Sequence, residues 1–79
     1  ANSQEVLAFP NPSSSLWVLS LQNYVSATCR IIDLYGRTVS NLVLQQGQNV
    51  VDAQSFSSGI YFAEITTNND VLLIKLIKE

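Results

Sequence analysis

The chain consists of short runs in which apolar and polar residues alternate, separated by turn-forming residues at nearly regular intervals. Alternation with a period of two places successive side chains on opposite faces, as a half-buried strand requires. The Pro, Gly, Asn and Asp residues between the runs favour turns. The pattern therefore predicts an all-β fold, an antiparallel β-sandwich of about seven short strands. The runs are VLAF (6–9), LWVLSL (16–21), ATCRIIDLY (27–35), TVSNLVL (38–44), NVVDA (49–53), IYFAEITT (60–67) and VLLIKLIKE (71–79).

The last run, Val71–Glu79, fits either a short helix or a strand, because its aliphatic residues would form an apolar face in both. A strand is favoured, since the run is short for an uncapped helix. In addition, Asn68-Asn69-Asp70 is a good hairpin turn after a clear preceding strand. We expect a last strand with one face in the core and Lys75 at the rim of the other.

Length and composition point to one packed domain. The chain has 79 residues, of which 47% are hydrophobic and 13% charged, too apolar for a disordered segment. The short length and the all-β pattern together predict an immunoglobulin-like sandwich. Residues 1–5 resemble a linker remnant from a parent protein, which leaves residues 6–79 as the domain. The net charge of −2 disfavours nucleic acid as a partner.

The residues that usually carry catalysis are scarce. There is no His, so the commonest general base and zinc ligand are missing. Cys29 lies mid-strand among apolar neighbours and is expected in the core. Asp33, Asp52 and Asp70 fall near strand ends, where they would fit a calcium site or, more simply, accept hydrogen bonds from turn amides. We expect no enzyme activity, no metal and no cofactor.

Four elements stand in order along the chain: FPNPSSS (9–15), IIDLYGRTV (31–39), FSSGIYFAEI (56–65) and VLLIKLIKE (71–79). This series resembles the C-terminal sorting domain of proteins secreted by the type IX system, in its type A form. Each element alone is weakly specific, but four in this order and spacing are considerably more so. The matching positions are Pro10, Asn11, Pro12, Asp33, Gly36, Arg37, Val39, Ser58, Gly59, Ile60, Tyr61, Lys75 and Lys78.

The resemblance implies a function in secretion by Gram-negative bacteria of the Bacteroidota. Domains similar to this one follow a parent cargo domain, pass through the periplasm and direct the parent through an outer-membrane translocon. A sortase-like cysteine peptidase then removes the domain, and the cargo stays at the cell surface or is released. On this interpretation the domain is a sorting signal. We expect processing within the linker, around Asn2–Gln4, because exposed small polar residues suit a protease.

Most of the matching positions have simple structural roles. Asp33 is expected to accept hydrogen bonds from the amides at Tyr35–Gly36, Gly36 and Gly59 to adopt positive φ, and the Tyr61 hydroxyl to reach a backbone partner. Recognition is assigned to the tail instead, with Lys75, Leu76, Ile77, Lys78 and Glu79 as candidate residues. A terminal strand at a sheet edge could accept a strand from the receptor. Both lysines would offer charges to an acidic groove and limit self-association through sheet edges.

Two other functions fit the same pattern. One is an immunoglobulin-like carbohydrate-binding or adhesion module, with Trp17 or Tyr24 in an exposed platform. The other is a passive stalk between a parent domain and a surface. A binding module would bind polysaccharides in a glycan array or by titration calorimetry, whereas a sorting signal would not. A stalk could be internal in its parent, whereas a sorting signal is expected last.

Overall fold

The computed structural model describes residues 6–10, 13–68 and 70–79, apart from the side chains of residues 23 and 24. Within these ranges the protein is all-β and contains no helix, so no helix of the length and hydrophobicity of a membrane span is found there. The predicted fold class is confirmed. The strands are β1 (Val6–Phe9), β2 (Leu16–Asp33), β3 (Thr38–Asp52), β4 (Gly59–Thr66) and β5 (Val71–Lys78).

Strands β2 and β3 are long because each takes part in two layers. The first half of β2 pairs with β1 and with the second half of β3, whereas its second half pairs with β4 and the first half of β3. The register shifts between Leu21 and Ser26, where the sheet folds over itself. The seven predicted runs are therefore seven paired segments of an antiparallel sandwich, but two pairs of them are continuous strands.

The fold in β3 is fixed by Gly47 and Asn49. Gly47 has φ of 102°, a conformation that side-chain-bearing residues rarely adopt. The Asn49 Oδ1 accepts a hydrogen bond from the Gln45 amide at 2.9 Å. Its Nδ2 lies 2.9 Å from the Gln45 carbonyl oxygen and 3.1 Å from that of Leu19. The Asn49 side chain thus provides hydrogen-bond partners for backbone groups that lose their cross-strand partners where the register shifts.

The core draws a side chain from nearly every paired segment, because alternate residues of each strand face inward. Burying a large apolar side chain contributes about 1.5–3 kcal/mol to stability. The two layers are therefore held together across their whole facing surface. The largest fully buried side chains are Trp17, Leu19, Leu21, Ile31, Leu44, Ile65 and Leu76.

Strand directions divide the sandwich into two ends. The far end contains Val6, the 21–26 fold of β2, and the β4–β5 connection. The opposite end, called here the motif end, contains residues 13–15, 34–37, 53–58 and 77–79. Sequence elements that are more than 60 residues apart in the chain meet at the motif end.

Candidate recognition site

The first component of the motif end is the turn between β2 and β3, which Asp33 holds in shape. Its Oδ1 accepts hydrogen bonds from the amides of Tyr35 at 2.9 Å and Arg37 at 3.0 Å, and its Oδ2 lies 3.0 Å from the Arg37 Nε. The Gly36 amide donates to the Asp33 carbonyl, and Gly36 has φ of 81°. The Arg37 amide is the main reason why the pKa of Asp33 is lowered. The prediction that the Asp33 carboxylate accepts a turn amide is confirmed for Tyr35, whereas the second amide donor is that of Arg37 and not that of Gly36.

This turn holds two large side chains in solvent. Leu34 is 62% exposed and Tyr35 is 83% exposed. The guanidinium carbon of Arg37 lies 5.4 Å from the centre of the Tyr35 ring, within the range of a cation–π contact. The tip of the turn is therefore apolar and aromatic, although it lies outside the core.

The second component is the loop before β4, which an aromatic cluster supports. Phe56 is half-buried, and its ring centre lies 6.0 Å from that of Trp17 and 5.2 Å from that of Tyr61. The Tyr61 hydroxyl donates a 2.7 Å hydrogen bond to the Ser57 carbonyl, which confirms the expected backbone partner. The ring cluster and this bond fix the loop against the core.

The third component is the end of β5, where Lys78 is a structural residue. Lys78 is only 8% exposed, and its Nζ donates a 2.8 Å hydrogen bond to the Phe56 carbonyl. Alternation places Lys78 on the same face as the fully buried Leu76, so its aliphatic stem follows the core. The expectation that both lysines present their charges is therefore wrong for Lys78. Lys75 and Glu79 are exposed, and Ile77 is half-buried.

The outer edge of β5 is open along only part of its length. β5 is the last strand of the sheet, and among the described strands it pairs only with β4. At its end, however, the Ser13 amide donates to the Ile77 carbonyl at 3.0 Å, and the Glu79 amide donates to the Ser13 carbonyl at 2.8 Å. This bridge corrects the expectation of an edge open to strand addition throughout, because Ser13 already occupies the position of an added strand beside residues 77–79.

The turn and the loop enclose an open groove of about 580 Å³ at the motif end. Arg37 and Val39 line it from one side, and Ser58, Ile60 and Tyr61 line it from the other. The structure thus brings two of the sequence elements together around the groove, with the tail tied behind the loop through Lys78. Asn11 and Pro12 lie outside the described residues, whereas Pro10 is exposed at the end of β1.

Other sequence candidates prove to be structural. Cys29 is 2% exposed, and burial raises the pKa of its thiol to about 11, so it is suited to packing rather than to reaction. Trp17 is fully buried and cannot form part of an exposed sugar platform. The Asp52 carboxylate accepts a hydrogen bond from the Gln54 amide at 3.0 Å. No cluster of three His, Cys, Asp or Glu residues able to hold a metal lies in the described ranges.

Two residues that organise the structure were not among the candidate residues predicted from the sequence. Ser13 bridges to the tail, and its Oγ accepts hydrogen bonds from the amides of Ser15 at 3.3 Å and Leu16 at 3.2 Å. Asn49 fixes the fold in β3. A Ser directly after a Pro-rich segment and an Asn two residues after a Gly are weak indicators, and neither identifies a partner distant in sequence.

Comparison with protein families decides the assignment. Residues 7–79 match the family model of the secretion system C-terminal sorting domain. The chain belongs to this family of type IX sorting domains. It is a C-terminal sorting signal that is attached to a cargo protein, interacts with the type IX secretion machinery, and directs secretion across the outer membrane to the cell surface or outside. This is not a catalytic family. A comparison with curated proteins gives no match.

Proposed function

We propose that the type IX outer-membrane translocon recognises the motif end as one folded surface, with the tail as one part of it. The observation that carries this proposal is the pair of ties between the tail and distant segments, Lys78 Nζ to the Phe56 carbonyl and the Ser13 bridge to Ile77 and Glu79. A tail held at so many points has a defined conformation only when the rest of the domain is folded. The sorting signal then depends on the folded conformation of the domain as well as on its amino-acid sequence.

Within the tail, the five candidate residues divide into two roles. Lys75 and Glu79 are exposed and are proposed to contact the translocon, Lys75 by offering its charge to an acidic surface. Leu76, Ile77 and Lys78 are proposed to hold the contact residues in place, through core packing, the Ser13 bridge and the Phe56 carbonyl.

The direction of β1 supports an accessible motif end. Val6 pairs with Leu21 at the far end, and β1 then runs towards the motif end. The parent domain is therefore proposed to attach at the far end of a sandwich whose longest dimension is 33 Å. This arrangement keeps the cargo away from the motif end, which the translocon is proposed to contact.

We further propose that the domain travels through the periplasm and is removed at the surface by a sortase-like cysteine peptidase that cuts within residues 1–5. A cut before Val6 leaves every described strand intact, so the released domain stays folded. Intact mass measurement of the released fragment tests this: a fragment beginning between residue 2 and Val6 supports it, whereas a cut inside β1 contradicts it.

A reporter fusion in a bacterium with a type IX system tests the central proposal. We expect the reporter to reach the medium or cell surface when it carries residues 1–79, and to remain inside when it carries none of them. Variants Lys75→Gln and Lys78→Met separate the two roles: the first is expected to reduce export without changing the melting temperature, and the second to reduce both. Equal export with and without the domain would contradict the proposal.

A further inference from the structure

Leu34 and Tyr35 are adjacent members of the set of large apolar side chains that the domain exposes, and both lie on one turn of the motif end. The turn requires Asp33 as the acceptor and Gly36 for its positive φ, but it places no such demand on the two positions between them. Contiguous exposed apolar surface marks interaction sites more than single exposed residues do. The hydrogen bonds of Asp33 fix the turn, and both side chains on it project into solvent.

The groove beside these side chains is concave, partly apolar and close to electrically neutral. Its apolar lining includes Val39, Phe56 and Ile60, and its polar lining includes serine hydroxyl groups. The Asp33 carboxylate is matched by the Arg37 guanidinium at 3.0 Å. A protruding apolar tip next to a shallow groove is the geometry of a protein–protein contact with a small number of anchor residues.

We propose that Leu34 and Tyr35 anchor the domain to a protein of the secretion machinery by entering an apolar recess, while a chain segment of the same protein lies in the groove. This inference rests on the proposed function and identifies a contact for the motif end that is separate from the tail. Tyr is enriched among residues that dominate binding energy, because it adds a large contact area at a low entropic cost.

Charge and geometry favour a protein as the occupant. The Arg37 guanidinium already lies 5.4 Å from the centre of the Tyr35 ring, and the Asp33 carboxylate already accepts three hydrogen bonds, so few polar groups of the turn are left for a sugar. A membrane surface is flat and would leave the groove unfilled. The net charge of −2 also opposes attraction to anionic lipid. A protein surface can fill the groove and receive the tip at the same time.

The test compares Leu34→Ser and Tyr35→Ser with Val43→Ser in the reporter fusion. Val43 is 65% exposed but lies in β3, outside the groove, so it is a matched control for loss of an exposed apolar side chain. Each groove-side variant is expected to lower the export rate by about tenfold, the double variant by more, and Val43→Ser by less than about twofold. Tyr35→Phe should retain most export, because it keeps the ring. Thermal unfolding of each purified domain excludes misfolding as the cause.

A photo-crosslinking amino acid at position 35 gives an independent readout. A crosslink to an outer-membrane component of the type IX machinery from position 35, but not from position 43, is the expected result. The inference is overturned by unchanged export of the double variant, or by a crosslink that forms only to a second copy of the domain. Binding of the wild-type domain to neutral phospholipid vesicles or to a glycan array, without binding to the machinery, would also overturn it. If the wild-type domain fails to export the reporter at all, the proposed function fails instead, so the two failures are distinct.

Discussion

Hydrogen bonds fix both ends of the sandwich, but the hydrogen bonds at the two ends connect different parts of the chain. At the far end, Asn49 joins neighbours within the β2–β3 pair. At the motif end, Ser13 bonds to residues 77 and 79, and Lys78 bonds to the Phe56 carbonyl. The Asn49 bonds of the far end thus lie within one strand pair, whereas the motif end is complete only when the last residues are in place. The proposed recognition surface therefore forms only when the whole domain has folded.

The largest expected effect is at Leu76, which joins the tail to the core. Replacing this fully buried residue as Leu76→Ala should lower the free energy of unfolding by about 3 kcal/mol, because the change removes apolar contacts and leaves a cavity. Leu73→Ala is the matched control in the same strand, since Leu73 is 61% exposed, and it should cost less than about 0.5 kcal/mol. Urea denaturation measures both. Equal effects would show that β5 is not packed as described.

The next largest expected effect concerns the hydrogen bond from Lys78 to the Phe56 carbonyl, which connects the tail to the loop at the motif end. Lys78→Met keeps much of the apolar stem but leaves the Phe56 carbonyl without its donor, which should cost about 1–3 kcal/mol. Lys75→Met, at an exposed position, should change stability by about 0.5 kcal/mol or less. Hydrogen exchange should show faster amide exchange in the loop before β4 only for Lys78→Met. If the two variants behave alike, the proposed structural role of Lys78 is contradicted.

Asn49→Ala tests the far end. This variant removes an acceptor and a donor at the fold of β3 and should destabilise the domain by about 1–2 kcal/mol. Export of a reporter should nevertheless remain close to the wild-type rate at temperatures where the variant is folded, because the motif end is unchanged. A large loss of export with the fold intact would show that the far end also contributes to recognition.

The smallest effect is a pH dependence of the turn at Asp33. Its pKa is lowered in the folded protein, chiefly by the Arg37 amide, so its charged form is favoured by folding. This contribution is present above the ordinary pKa of 3.8 and is lost as the pH falls through the lower folded value. Asp33→Asn should therefore be less stable than the wild type at pH 6, with a difference that shrinks below pH ~4. A constant difference across this range would contradict the role of the charge.

Local patterns predicted the strands well, because alternation and turn residues act over a few positions. The seven runs, the hairpin before β5, the Asp33 turn and the Tyr61 bond all depend on neighbours close in sequence. The bridge from Ser13 to the tail and the burial of Lys78 depend on which segments the fold brings together. A lysine in an apolar strand is normally expected at the surface, and the hydrogen bond to the distant Phe56 carbonyl explains why Lys78 is buried instead.

The most direct test of the folded motif end as the signal is to compare two reporter fusions, one ending in the whole chain and one ending in Val71–Glu79 alone. Both carry the complete tail sequence, but only the first can form the ties from Lys78 to the loop and from Ser13 to the tail. We predict that the whole domain is exported and that the isolated tail is not. Export of the two reporters at equal rates would contradict the account, because the translocon would then read the tail without the structure that holds it.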